Sequence, residues 1–167
     1  AKPATHRAVT CFTNNQKRMD YQRLTWYGRG PHESYSARED TAFFDLHTAK
    51  RVDLFHPYIM PQENGNRTDT RWLKLYGNGV PQVRVLGRPS FDFSIHHCSL
   101  MNLTNARHID KVTVQAGPWL FIDLGQTGWA VTPADPTRCF NIDWNPNLIS
   151  LKFDCAPKPE THDGPIL

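Results

Sequence analysis

Carboxylates are the first candidates for chemistry in this chain, and glutamate is scarce: Glu33, Glu39, Glu63 and Glu160 are the full set. Paired carboxylates are common equipment for general acid and base work. Glu33 and Glu63, however, lie inside runs rich in Gly, Asn, Arg and Pro, where a side chain most economically holds backbone. Glu39 follows Arg38 in a polar turn, and Glu160 lies near the C-terminus. Glu63, Asn64 and Arg67 carry complementary donors and acceptors that suit sugar hydroxyls. The same groups equally suit a turn tied to its own neighbours. Trp129 stands among Gly125, Gln126, Thr127 and Gly128. An exposed indole there offers a stacking platform for the apolar C–H face of a sugar, against simple packing as the other reading.

Metal chemistry is poorly supplied. His96-His97 and His108 suggest a metal at first sight, but adjacent residues on a strand point to opposite faces, so His96 and His97 cannot easily share one ion. Cys11, Cys98, Cys139 and Cys155 contain no close pair of the kind zinc sites use. They allow three disulfide pairings, or buried free thiols, and spacing does not choose. A Ser/His/Asp triad can be assembled on paper, but no nucleophile elbow supports one. No cofactor is expected.

The elements that must position these residues read as antiparallel strands. Phe91, Phe93 and Ile95 alternate with polar residues, as do Phe140, Ile142 and Trp144, and Ile149, Leu151, Phe153 and Cys155. Val83 with Val85 and Val112 with Val114 give shorter examples. Apolar runs occur at Leu24–Tyr27, Ala42–Leu46, Trp72–Leu75 and Trp119–Leu124; Trp119 and Trp144 read as core. Turn signals fall at Gly28–Pro31, Asn64-Gly65, Gly77–Gly79, Gly87–Pro89, Gly117-Pro118 and Asn145–Asn147. Strands about ten residues apart with such punctuation predict a β-sandwich. One short helix is predicted over Ser99–Ala106, with Ser99 as its cap.

Composition narrows the classes further. The 167 residues hold 19 Lys and Arg against 16 Asp and Glu, and the basic residues are scattered, so no nucleic-acid stripe is expected. No apolar run approaches the roughly 18 residues of a membrane span. Asn66-Arg67-Thr68 and Asn102-Leu103-Thr104 are glycosylation sequons, meaningful only in a secreted protein.

Two longer runs are too specific to be generic strands. Leu24-Thr25-Trp26-Tyr27-Gly28-Arg29-Gly30-Pro31-His32-Glu33-Ser34-Tyr35 resembles the WYGRGPHE-x-Y stretch of the small-chain domain of glycoside hydrolase family 2 β-galactosidases. Tyr58-Ile59-Met60-Pro61-Gln62-Glu63-Asn64-Gly65-Asn66-Arg67-Thr68-Asp69-Thr70-Arg71-Trp72-Leu73 is similar to that family's PYxxPQENGNRTDxRWL. Phe91-Asp92-Phe93-Ser94 and Trp119–Asp123 resemble later strands, so the likeness runs from about Arg7 to Cys155.

The resemblance implies an all-β fold: a shortened, galactose-mutarotase-like antiparallel sandwich with one short helix, covering 1–155; the three prolines and mixed polar residues of 156–167 read as an extended or frayed tail. It implies a non-catalytic module for β-galactoside recognition, lectin-like on its own, with Trp129, Glu63, Asn64 and Arg67 as ligand contacts. The alternatives are an assembly domain of a β-galactosidase, or a sandwich recruited to another reaction through His32, Asp123 or Tyr58. The family's two catalytic glutamates lie on a separate barrel domain, so no self-sufficient glycosidase is expected here. Its Trp-bearing loop reads roughly GGDDSW, whereas Leu124–Trp129 is shorter and lacks both acids. The implied partners are a carbohydrate and either a second copy or the rest of a β-galactosidase. Compartment stays open: sequons and cysteines fit secretion, the family resemblance fits the cytoplasm.

Overall fold

Alternating apolar residues produce seven strands among the described residues, and hydrogen bonding joins them into one antiparallel sheet. The computed structural model describes residues 21–35, 38–61, 64–77, 80–114, 119–123, 139–144 and 151–153. Its strands are β1 (Tyr21–Pro31), β2 (Ala42–Lys50), β3 (Arg67–Gly77), β4 (Val80–His96), β5 (Trp119–Asp123), β6 (Cys139–Trp144) and β7 (Leu151–Phe153). Their order is β2-β1-β3-β4-β6-β7, with β5 also on β4. The all-β antiparallel expectation holds, and the described strands belong to one continuous ladder. The tail at 156–167 lies outside the described residues.

The core follows from register. Leu24 stands opposite Leu75 and Trp26 opposite Leu73 between β1 and β3; Leu73 then faces Val85, and Leu75 faces Val83. Phe93 faces Ile122 and Ile95 faces Leu120 across β4 and β5. These side chains are buried in one cluster, with Leu54 from a 3-10 turn at Arg51–Leu54. Each such residue contributes roughly 1.5–3 kcal/mol by leaving water. Period-2 patterning on four neighbouring strands therefore selects one register, because a one-residue slip would turn every apolar side chain outward.

β4 organises the sheet. Two steps along β3, from Thr70 to Trp72, stand against five along β4, from Phe91 back to Leu86. The surplus forms a bulge at Gly87–Ser90. A Cβ on Gly87 would lie 2.7 Å from the Ser90 Cα, so glycine is what permits the fold-back. Before the bulge β4 pairs with β6 through Val83–Arg88; after it, β4 pairs with β5 through Asp92–His96. One 17-residue strand thus serves two partners on the same edge. The Gly87–Pro89 signal marks this bulge and not the turn between strands that its composition predicts.

Two further expectations need correcting. Gly28–Pro31 is not a chain reversal: it continues β1, pairing with Ala42–Asp45, and the reversal falls after it. Val112 and Val114 are not in a strand. They follow a 3-10 turn at Ile109–Lys111, and the Asn102 side chain pairs with Thr113 as a strand would. Asn102 Oδ1 accepts from the Thr113 N–H at 3.0 Å, and Asn102 Nδ2 donates to the Thr113 carbonyl at 3.3 Å. Asn102 belongs to α1 (Leu100–Asn105), where Ser99 caps by accepting from the Asn102 N–H and Leu103 is buried, as the sequence predicts. No helix among the described residues is long and apolar enough to cross a membrane.

Candidate functional site

The two motif runs meet. Leu24–Tyr35 supplies β1 and the segment after it, while Tyr58–Leu73 supplies the approach to β3 and its first half. Gly28 lets them touch, since a Cβ there would come within 2.7 Å of the Thr70 Cα. Beyond this contact the chains exchange polar groups. Ser34 donates its N–H to the Asn66 carbonyl at 2.8 Å, and Asn66 Nδ2 returns a bond to the Ser34 carbonyl at 3.0 Å. The Ser34 hydroxyl accepts from the Thr68 N–H at 2.9 Å and bonds the Thr68 hydroxyl at 2.9 Å. All three residues are buried, so these groups have no water to fall back on.

Glu33 extends the same join. Its Oε1 accepts from the Tyr58 hydroxyl, and its Oε2 accepts from the Gly65 N–H at 2.9 Å. Arg38 stands 3.8 Å from Oε1. Burial raises the Tyr58 phenol above its ordinary pKa, and the bond to Glu33 adds to the shift. Gly65 has φ of 67°, the left-handed turn that the Asn64-Gly65 pair predicts. Asn64 is buried, with its side chain on both backbone groups of His56: Oδ1 accepts from the N–H at 2.8 Å, and Nδ2 donates to the carbonyl.

Arg67 lies beneath this turn, only 4% exposed. Its guanidinium donates to the Gly65 carbonyl at 2.6 Å, the Pro31 carbonyl at 2.9 Å and the Leu54 carbonyl at 3.4 Å. It also stands over the Trp26 ring at 5.9 Å. Burial lowers its pKa to about 10, with the Glu33 charge opposing that shift. His96 is buried nearby, its Nδ1 without a hydrogen-bond partner. Burial, then the neighbouring His97, then Arg67 lower its pKa to about 4, so it is neutral at pH 7.

The sequence-predicted contacts therefore divide. Asn64 and Arg67 come together, but their polar atoms serve backbone carbonyls and N–H groups of the loop. Glu63 and Trp129 lie outside the described residues, as do Cys11 and Cys155. Glu39 is engaged by Arg29 at 3.1 Å and by the Thr68 hydroxyl at 3.4 Å. Of the groups considered for another reaction, Tyr58 holds Glu33, His32 is exposed, and Asp123 sits opposite Asp92 in the β4–β5 ladder. Asn66 of the first sequon is buried and hydrogen-bonded, which removes it as a glycan acceptor in the folded chain. Cys98 is a buried free thiol, and no group of three or more His, Cys, Asp or Glu among the described residues could hold a metal ion.

Sequence reasoning passed over Ser34, Thr68 and Asp92. Asp92 is buried and accepts from the Asp69 N–H at 3.0 Å, where Asp69 itself takes φ of 53° in a bulge of β3. The only signal for Ser34 and Thr68 was their place inside the two runs, and for Asp92 its place in the Phe91–Ser94 stretch.

A single antiparallel sheet whose loops are locked by these two runs defines a class of β-domain. Residues 13–137 match the family described as "Beta galactosidase small chain", and the chain belongs to that family. Among curated proteins it is 32% identical over 108 residues to the β-galactosidase of Priestia megaterium, 65% of this chain and 10% of that protein. It is 34% identical over 116 residues to that of Alteromonas mediterranea, again 10% of the relative. It is 38% identical over 104 residues to that of Yersinia enterocolitica, 9% of the relative. The chain thus spans about a tenth of the length of the curated relatives it matches.

Proposed function

We propose that this chain is a non-catalytic structural domain of a β-galactosidase-type enzyme, one that acts by packing against the rest of that enzyme. One observation carries the reading: Glu33, Asn64 and Arg67, three polar side chains of the two motif runs, hold backbone of these runs and of the loop at His56. Groups so engaged support a shape and are not open to a substrate. Neither Glu33 nor Glu39 is an unencumbered carboxylate of the sort a retaining glycosidase needs in pairs. The test is replacement. The matched segment of the Priestia megaterium β-galactosidase is exchanged for this chain, or deleted, and hydrolysis of a chromogenic β-galactoside is measured. Exchange should restore turnover that deletion abolishes; a soluble exchange protein as inactive as the deletion would overturn the reading.

A second reading, carbohydrate recognition, keeps a specific support. Trp129 comes after β5 in the sequence and is the best positional match to the Trp that the resembled family presents to sugar, in a shorter loop that lacks both acids; Gly125 and Gly128 before it suit an exposed ring. Glu63, from the second motif run, is the other remaining candidate contact. A shallow stacking site of this kind gives weak affinity, with Kd on the order of millimolar.

A further inference from the structure

Asn-Gly pairs deamidate readily in an unstructured chain, because glycine sets no Cβ in the way of the attacking main-chain nitrogen. The sequence holds two of them, Asn64-Gly65 and Asn78-Gly79. Water is the only co-reactant. At the first pair the Gly65 nitrogen loses its proton and attacks the Asn64 Cγ. A new C–N bond closes a cyclic imide while the Cγ–Nδ2 bond breaks and ammonia leaves. Water then opens the imide at either carbonyl. The product is aspartate or, with the main chain rerouted through Cβ, isoaspartate.

The fold holds both reacting groups away from this reaction. Asn64 is 4% exposed and its amide is spent on His56: Oδ1 accepts from the N–H at 2.8 Å, and Nδ2, the leaving group, donates to the carbonyl. Attack requires the side chain to turn about its Cα–Cβ bond until Cγ meets the Gly65 nitrogen, and that turn breaks both bonds. The nucleophile is held separately. Its N–H donates to Glu33 Oε2 at 2.9 Å, so negative charge developing on the nitrogen would face a carboxylate, which opposes loss of the proton. Glu33 is fixed in turn by the Tyr58 hydroxyl, and the Gly65 carbonyl by Arg67 at 2.6 Å. The two restraints come from chain segments on either side of β2, Glu33 before it and His56 after it. Both must let go before the imide can close.

Neither product fits back. An aspartate carboxylate only accepts, so the buried His56 carbonyl would face an oxygen where it now meets an N–H. Isoaspartate adds a carbon to the main chain just before Gly65. That shifts Gly65 from Glu33, and Asn66 from Ser34, with which it now exchanges bonds at 2.8 and 3.0 Å. We infer that Asn64-Gly65 is a latent modification site, closed to deamidation while the two runs are joined and open to it when they part, after which the altered chain no longer re-forms the join. A reversible local opening thereby becomes a one-way event that the covalent structure records.

Peptide mapping by mass spectrometry tests it on the whole chain, incubated at mildly alkaline pH in buffer below its melting transition and in urea. In urea Asn64 should convert at the rate of Asn78, the same dipeptide with no fold around it. In buffer Asn64 should convert at least about tenfold more slowly than in urea, because the rate then follows the small open population. Ser34→Ala weakens the join without touching Asn64, Gly65, Glu33 or His56. It should speed the conversion of Asn64 in buffer at least about tenfold and leave the rate in urea unchanged. Asn64→Asp, made directly, should melt below the native chain or fail to fold. Equal rates for Asn64 in buffer and urea would overturn the closure, and an unchanged rate in folded Ser34→Ala would overturn its dependence on the join. An Asn64→Asp chain that melts with the native one, with the isoaspartyl form refolding as completely from urea, would overturn the one-way step.

Discussion

Replacing Ser34 by alanine removes one oxygen and almost no volume, yet it cuts the join between the two motif runs. The hydroxyl is fully buried and serves both the N–H and the hydroxyl of Thr68, each at 2.9 Å. In Ser34→Ala the buried Thr68 N–H has no acceptor within the join, while the Thr68 hydroxyl keeps its longer contact to Glu39 at 3.4 Å. Stranding one buried donor costs about 1–3 kcal/mol, and the lost hydroxyl pair adds about 0.5–1.5 kcal/mol. A loss of about 2–4 kcal/mol is a large share of the roughly 5–15 kcal/mol that hold a domain together. It corresponds to a fall in Tm of about 4–16 °C at this chain length. Urea unfolding of the isolated chain measures it directly, with an unchanged m-value showing that the unfolded state is not responsible. Thr68→Val in a double-mutant cycle isolates the hydroxyl pair, with an expected coupling of about 0.5–1.5 kcal/mol. A Ser34→Ala loss below about 0.5 kcal/mol would refute the claim that these polar contacts, and not the apolar core alone, hold the runs together.

Four other outcomes follow from the same geometry. Gly28→Ala should cost at least about 1–3 kcal/mol, because its Cβ meets the Thr70 backbone at 2.7 Å and backbone cannot swing aside; thermal melting checks it. His96 takes up a proton near pH 6.5 when unfolded but near 4 when folded, so its contribution is complete above 6.5 and is lost as pH falls towards 4. The loss reaches about 3 kcal/mol, and the urea midpoint of His96→Gln should vary less with pH over that window. In titrations with galactose, lactose and a longer β-galactan, Trp129→Ala should abolish whatever tryptophan fluorescence change the native chain gives; binding that survives would move the site towards Glu63. The isolated chain should not turn over a chromogenic β-galactoside, and activity that disappears in Glu33→Gln would contradict the structural role of that carboxylate.

Local pattern carried most of the fold. The alternation at Phe91, Phe93 and Ile95 gives both strand and buried face, because a period of two has one solution once a core exists. Gly65 was legible for a similar reason: an Asn-Gly pair has few uses other than a left-handed turn. Val112–Val114 shows where pattern stops. Two β-branched residues favour a strand, but a strand needs a partner ladder, and here the Asn102 side chain takes that place. Gly87–Pro89 reads as a turn because glycine and proline break a ladder locally; only the pairing of β4 with both β5 and β6 reveals a bulge. The site was legible as two runs and not as one object. Nothing along the chain says that Ser34 meets Thr68 or that Arg67 reaches the Pro31 carbonyl, since those contacts span 34 and 36 residues and depend on the register of β1 with β3.

That join has a consequence for how such a chain can diverge. A change at Glu33 leaves the Gly65 amide without its acceptor, and a change at Arg67 leaves the carbonyls of Pro31 and Gly65 without that donor. Each single step away from the present residues is thus downhill in stability, whichever run it begins in. A lineage can drift freely across solvent-facing positions of the sheet, but here it must alter both runs at once or neither. The two segments should therefore be inherited as a linked pair, and a transplant of one into a relative without the other should fold worse than either parent.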